Sequence, residues 1–190
     1  MLTYFLISSN ASPNLLDEAD GKLFKSDIIK NNKIRFDSQM KIGEDAKFVL
    51  EYLQESSSLK ICNLPLQAYI INEEGAMRKA GLEALGDEIK TYEARINTLR
   101  NLQVEISDEL MQVLNLTYYN KVIGYLIQDS HKFGVVKNYK NICRYIENKK
   151  IKEILYKLPN KSLSFKQKLL LLFIKNRWYL LLAVMLKIFI

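Results

Sequence analysis

The residues best suited to chemistry in this sequence are two adjacent carboxylates, Glu44 and Asp45, which follow Gly43 at the predicted start of a helix. A carboxylate within hydrogen-bond reach of a hydroxyl can take its proton while the oxygen attacks an electrophilic carbon. The helix dipole favours the ionised carboxylate at this position. The same dipole also gives a structural explanation, because acidic residues stabilise a first helical turn by about 0.3–1 kcal/mol each. The pair alone therefore fits either a general base or a helix start.

Other catalytic and metal-binding patterns are absent from the sequence. His131 is the only histidine, so a histidine-rich metal site is excluded. Cys62 and Cys143 lack a metal-binding or disulfide spacing, and we interpret them as free thiols of a reducing compartment. There is no GxGxxG, CxxC, HExxH or phosphate-binding glycine-rich loop, and no Asp-x-Asp to hold a divalent ion against a pyrophosphate. We therefore expect no cofactor in this chain.

The front of the chain, residues 1–72, is predicted to be mixed α/β. A short helix over residues 22–30 is followed by a second helix that begins at Glu44. The buried face of the second helix is predicted to contain Phe48, Val49, Tyr52 and Leu53. Extended segments are predicted at residues 59–63 and 66–71, on either side of a proline turn. This part would contribute the sheet of an α+β fold.

The middle of the chain, residues 73–118, is predicted to be an amphipathic helical segment with a break at Gln103 and a new helix capped by Ser107. An apolar stripe at spacings of three and four runs along it, and its members are Leu82, Leu85, Ile89, Tyr92, Ile96, Leu99, Ile106, Leu110 and Val113. We interpret the stripe from Leu82 to Val113 as packing on its own domain. Pairing with a partner chain or a second copy is the alternative.

The last stretch, residues 119–190, is a basic helical tail. Residues 121–190 hold 15 Lys and Arg against 3 Asp and Glu, whereas the preceding residues hold 13 against 18. Two apolar runs are separated by Lys175 and Arg177, and each is too short to span a bilayer. This pattern favours a helix on an anionic membrane surface over a buried helix with a solvated lysine face. Nucleic acid is not expected as a partner, because no groove-reading motif accompanies the lysines.

Five short blocks lie in order between Gly21 and Tyr69. They read Gly21-Lys22-Leu23-Phe24-Lys25, Ile28-Ile29, Asn32-Lys33-Ile34-Arg35-Phe36, Gly43-Glu44-Asp45 with Phe48 and Tyr52-Leu53, and Leu64-Pro65-Leu66 with Tyr69. In this order and spacing the blocks resemble the C-terminal half of the bacterial family 2 glycosyltransferases. The resemblance implies a GT-A fold, here a remnant of its mixed sheet followed by a mostly helical C-terminal region. It also implies transfer of a sugar from a nucleotide donor to a saccharide or lipid-linked acceptor in surface polysaccharide synthesis.

The resemblance implies roles for three residues. Asp45 corresponds to the general base that deprotonates the acceptor hydroxyl, and Glu44 supports it. Lys22 lies where the family brings the chain near its active site, and it is a candidate for substrate binding. Two positions depart from the family's pattern, because Asp20 and Gln67-Ala68 stand where aromatic residues are usual. The acceptor wall is therefore expected to differ from that of the family.

In the family, a nucleotide-binding half with the Asp-x-Asp metal site precedes these blocks, and this sequence has too few residues there to supply it. Because positioning and charge stabilisation provide most of the rate, we expect the chain alone to be inactive. A nucleotide sugar, a saccharide acceptor and divalent Mn or Mg are expected only with an N-terminal half. The expected location is cytoplasmic, on the inner face of the cell membrane. The alternative is a non-catalytic protein-interaction or membrane-peripheral module derived from such an enzyme.

Overall fold

A computed structural model describes residues 18–60, 80–158 and 163–189 of the protein, and these residues form a helical structure. In chain order the helices are α1 (Ser26–Asn31), α2 (Glu44–Gln54), α3 (Leu85–Asn101), α4 (Asp108–Lys132), α5 (Val135–Ile146), α6 (Lys149–Tyr156), α7 (Phe165–Lys175) and α8 (Tyr179–Phe189). A 3-10 turn at Leu82–Ala84 leads directly into α3.

The predicted α+β fold with a sheet remnant is wrong, because the described residues contain helices and turns and no strand. Leu59 and Lys60, where the first extended segment was predicted to begin, have no regular structure. Residues 61–63 and the segment 66–71 lie outside the described residues. Ile34 and Ile42 instead enter the helical core from loops. Short apolar segments can be buried against a helix or a sheet, and their sequence pattern does not distinguish the two.

Helix α2 forms where the sequence predicts it. Its inward face buries the four predicted side chains, which are Phe48, Val49, Tyr52 and Leu53. This face packs most extensively on α3. Helix α1 begins at Ser26, later than the predicted start at residue 22, and it buries none of its residues. The front of the chain is therefore held to the rest of the molecule mainly through α2.

The predicted break and cap in the middle of the chain are confirmed. Helix α3 ends at Asn101, and Gln103 adopts a left-handed conformation with φ 55°. The Ser107 side chain then accepts a hydrogen bond from the Leu110 amide at 3.2 Å and starts α4. Helix α4 runs without interruption past residues 118 and 119 to Lys132. A capped start satisfies one of the free amides that every helix N-terminus leaves.

The apolar stripe packs inside the protein. Its fully buried members are Leu82, Leu85 and Leu99, while Tyr92 and Leu110 are nearly so. Ile89 and Ile96 are partly buried against the same core, and Val113 is exposed. The buried members of the stripe therefore have partners within their own chain, as packing on the same domain predicts.

The C-terminal helices complete one continuous core. Helix α8 packs most extensively on α5 and also contacts α4 and α7. Its buried side chains include Tyr179, Leu182, Ala183 and Leu186. Helices α7 and α8 are separated at Asn176–Trp178, where Arg177 has φ 58°. Within the ranges that the structure describes, no helix has the length and apolar character needed to cross a bilayer.

Candidate functional site

The start of α2, where the two candidate carboxylates lie, is fixed by close packing against α3. Gly43 precedes the helix in the left-handed conformation, with φ 79° and ψ 8°. A Cβ atom added to Gly43 would lie 2.5 Å from the Thr91 hydroxyl oxygen. That hydroxyl donates a hydrogen bond to the Gly43 carbonyl at 3.4 Å. The backbone conformation and the close approach both require glycine here.

Glu44 and Asp45 are the first two residues of α2. Both side chains are half-buried, so a group from solvent can still reach them. The amides of a first helical turn have no partner inside the helix and form a positive end that favours carboxylates. The structure therefore holds these two side chains at a defined, partly open position, whichever of their two predicted roles applies.

Four aromatic side chains from three of the sequence blocks meet on and beside α2. Phe24 contacts Phe48 and Tyr52 edge-on, with ring centroids 5.3 and 4.9 Å apart respectively. Phe36 stacks on Phe48 with a centroid distance of 4.3 Å. The Lys25 amide donates a hydrogen bond to the Tyr52 hydroxyl at 2.8 Å. We call Phe24, Phe36, Phe48 and Tyr52 the aromatic cluster, and each pair adds about 0.5–1.5 kcal/mol beyond burial.

The aromatic cluster and Asp45 share one side of α2. Phe48 comes three residues after Asp45, so the two side chains are neighbours along the helix surface. Phe36, which stacks on Phe48, is 51% exposed. The site thus combines a partly open carboxylate with a partly open aromatic ring. Sequence analysis found these residues as parts of motifs but did not predict that their side chains touch.

Asp37 is a charged residue near this surface that the sequence analysis missed. It accepts a hydrogen bond from the Gln39 amide at 3.0 Å. Its carboxylate also lies 3.8 Å from the Lys47 ammonium and 3.7 Å from the Lys90 ammonium. The backbone hydrogen bond, helped by the two lysines, lowers the pKa of Asp37. These three charged residues are distant in sequence, so no local motif indicates that they meet.

Lys22 is held by its own loop. Its ammonium group donates hydrogen bonds to the carbonyl oxygens of Glu18 and Asp20, the second at 3.2 Å. These bonds fix the side chain near the turn that precedes Phe24. The fifth block, which contains Pro65 and Tyr69, lies outside the described residues.

A second polar cluster lies between α3 and α4, where the sequence predicted only apolar packing. The Tyr92 hydroxyl donates to the Asn115 side-chain oxygen at 2.7 Å, and the Tyr125 hydroxyl donates to Glu88 at 2.6 Å. The Lys121 ammonium lies 3.4 Å from Glu88. Burial raises the pKa of Tyr92 to about 12, and burial together with the Glu88 charge raises the pKa of Tyr125. Each polar group has a partner from the other helix, which fits a structural role.

Asp129 joins three elements in the interior. It is fully buried and accepts hydrogen bonds from the Leu82 amide at 3.2 Å and the Asn141 side chain at 2.9 Å. Burial raises the pKa of its carboxyl group. The contacts link the 3-10 turn, α4 and α5. An acidic residue at this place gives no recognisable signal in the sequence, because both partners are remote along the chain.

Comparisons with known proteins leave function to be inferred from these residues. No protein-family model matches the chain, and neither the curated proteins nor the solved structures contain a match. Among the described residues, no group of three or more His, Cys, Asp and Glu side chains could hold a metal ion.

Proposed function

We propose that this protein provides the acceptor side of a glycosyltransferase resembling family 2, which transfers a sugar from a nucleotide donor to a saccharide or lipid-linked acceptor in surface polysaccharide synthesis. The observation that carries the proposal is the aromatic cluster. Its members come from three of the sequence blocks that resemble the family, and they pack together beside the start of α2. Agreement between sequence order and packing supports the resemblance more strongly than order alone. The proposal depends on these packed residues and not on a sheet.

In this proposal Asp45 is the general base. It takes the proton of the acceptor hydroxyl while that oxygen bonds to the anomeric carbon of the donor and the bond to the nucleoside diphosphate breaks. Asp45 lies in the first turn of the helix, directly after Glu44. Phe36, which stacks on Phe48, offers a partly exposed apolar surface. Lys22 remains a weaker candidate for substrate binding, since its own loop already engages its ammonium group.

The donor side must come from another polypeptide segment. The sequence has no Asp-x-Asp, so we derive no catalytic step through Mn or Mg from these residues. The chain by itself is therefore expected to show no transfer. A location at the cytoplasmic face of the membrane belongs to the same proposal, because nucleotide sugars and lipid-linked acceptors meet there.

Complementation in the organism that carries the gene tests the proposal. Deletion of the gene should remove or shorten a surface polysaccharide, and the wild-type gene should restore it. Asp45→Asn should fail to restore it, because an amide cannot accept the proton. Asp27→Asn is the matched control, since Asp27 is the second residue of α1 just as Asp45 is the second residue of α2.

The control separates the two roles of a carboxylate at a helix start. A purely structural effect would be of similar size in both variants, about 0.3–1 kcal/mol of stability. If Asp45→Asn restores the polysaccharide as fully as Asp27→Asn, Asp45 is not a base and the proposal is wrong. A deletion that leaves every surface polysaccharide unchanged would also contradict it.

A further inference from the structure

The solvent-facing side of α8 is unusually apolar. Leu180, Leu181 and Ile188 are 57%, 50% and 66% exposed, and Val184 between them is partly exposed. On an ideal helix these four side chains and Lys187 cover an arc of about 120°. We call these four aliphatic residues the α8 outer face. The opposite side of α8 is already buried in the core, so the helix is apolar on both sides.

Helix α3 has the ordinary composition of a solvent-facing helix side. Its exposed side chains include Glu93, Asn97 and Arg100, all polar or charged. A surface helix ordinarily has one apolar stripe and a polar remainder, as α3 does. The α8 outer face departs from that pattern, and contiguous exposed apolar surface of this kind marks an interaction site.

Helix α7 also exposes apolar side chains to solvent, and lysines lie next to them. Phe165 and Leu172 are exposed two turns apart on one side, and the partly buried Leu169 lies between them. Lys166 and Lys168 are exposed on either side of this strip. Within the part of the chain that the structure describes, neither lysine side chain forms an ion pair or a hydrogen bond.

The charge of this region selects one kind of partner. No Asp or Glu follows Glu153, whereas seven Lys and Arg lie between residues 154 and 190. A second copy that paired through the same two helices would bring an equally basic surface, and the two would repel each other. An anionic lipid surface offers both apolar depth and negative charge.

We propose that α7 and α8 bind the surface of an anionic lipid bilayer, with α8 lying in the plane of the interface and its outer face towards the acyl chains. Trp178, half-exposed between the two helices, would sit at headgroup depth, where indole rings are favoured. Lys166 and Lys168 would lie near lipid phosphates. The Lys187 ammonium instead donates a hydrogen bond to the Ser130 carbonyl of α4 at 2.9 Å. The glycosyltransferase proposal also places the protein at a membrane, but the observations behind this inference involve neither Asp45 nor the aromatic cluster, so the two can fail separately.

Vesicle binding by the full chain tests the inference. Trp178 is the single tryptophan, so its fluorescence reports directly on this region. With vesicles containing phosphatidylglycerol, the protein should float with lipid and its emission should move to shorter wavelength. Added salt should weaken both effects, and vesicles of phosphatidylcholine alone should bind at least tenfold less, because several lysines each contribute roughly fivefold.

Two sets of variants separate the apolar and charged contributions. Replacing Leu180, Leu181 and Ile188 together by Gln should weaken binding by about tenfold or more. Val136→Gln is the control, since Val136 is 67% exposed on α5, and it should bind like wild type. Lys166→Gln with Lys168→Gln should cost roughly fivefold per lysine. Circular dichroism and thermal unfolding establish that each variant is folded.

Three results would overturn the inference. In the first, the wild-type protein does not bind anionic vesicles. In the second, it binds neutral vesicles equally well. In the third, it self-associates without lipid, fails to bind vesicles, and becomes monomeric in the triple Gln variant. That last result would assign the α8 outer face to a second copy of the chain.

Discussion

Single residues at the start of α2 set the geometry of the candidate site. Gly43 combines a left-handed backbone with a 2.5 Å approach of any added Cβ to the Thr91 hydroxyl oxygen. Gly43→Ala should therefore lower the free energy of unfolding by about 1–3 kcal/mol. Gly124→Ala is the control, because a Cβ at that position in α4 meets no atom within 4 Å. It should raise stability by about 0.5–1 kcal/mol.

Urea denaturation of both glycine variants checks this prediction. An unchanged midpoint for Gly43→Ala would mean that the helix start tolerates a side chain and that the packing against Thr91 is loose. The position of Asp45 would then be less firmly fixed than the structure indicates.

Asn138 is a second residue whose replacement should change stability in a definite direction. It is buried on the inner side of α5, and both polar atoms of its side chain lack a hydrogen-bond partner in the described structure. An unpaired buried amide costs about 1–3 kcal/mol, so Asn138→Leu should stabilise the protein. Asn141→Leu should do the opposite, because Asn141 donates a hydrogen bond to buried Asp129.

The midpoint of thermal unfolding measures both asparagine variants, with Asn138→Ala included to exclude overpacking by leucine. If leucine and alanine at position 138 both destabilise strongly, the Asn138 amide is hydrogen-bonded and the interpretation is wrong. The comparison with Asn141→Leu tests whether burial of the amide or its hydrogen bonding decides the sign of the change in stability.

At the scale of helices, the buried tyrosines between α3 and α4 make the free energy of unfolding depend on pH in the alkaline range. Burial raises the pKa of Tyr92 to about 12 and also raises the pKa of Tyr118 and Tyr125. The unfolded chain has ordinary tyrosines, which lose their protons near pH 10. Between these values the unfolded state binds fewer protons, so stability falls as pH rises from about 10 to 12.

Far-ultraviolet circular dichroism across this pH range, combined with absorbance of tyrosinate, measures the effect. Loss of helix and ionisation of the buried tyrosines should coincide. Tyr92→Phe should make the fall in stability with pH less steep, while the exposed Tyr156→Phe controls for loss of a hydroxyl. Tyrosine ionisation complete near pH 10 with helices intact would show that these side chains are not enclosed.

The helices show what local sequence could predict. The buried face of α2, the break at Gln103 and the cap at Ser107 depend on neighbouring residues, and all three were predicted correctly. The sheet was expected from a family resemblance and from short apolar segments, whose periodicity alone does not separate a buried strand from a buried helical segment. Pairs such as Tyr125 with Glu88 come from distant positions, so only the folded chain brings them together.

The same limit applies to the candidate site. Sequence motifs singled out Glu44 and Asp45 at the start of a helix, which is where they lie. They gave no indication that Phe36 would stack on Phe48, or that Asp37 would meet Lys47 and Lys90. These contacts depend on the path of loops between helices, which local pattern does not determine.

At the scale of the whole molecule, the hydrophobic core is continuous, whereas the front of the chain is net acidic and the C-terminal helices are net basic. One hydrophobic cluster extends from Ile34 to Leu186, so the part that contains Asp45 and the basic C-terminal helices are packed together. The basic helices carry the proposed membrane contact, and the acidic front carries the proposed acceptor site. Both proposed surfaces therefore belong to one packed unit.

The central claim, that Asp45 acts as a base, is tested most directly by the rate of labelled-sugar transfer in membranes from the complemented deletion strain. Protein amount is matched between variants, and nucleotide sugars are supplied in excess. The account predicts that Asp45→Asn lowers the rate by about 100-fold or more, while Asp27→Asn leaves it within about twofold of wild type. Equal rates for the two variants would contradict the account, and Asp45 would then be a residue that only starts a helix.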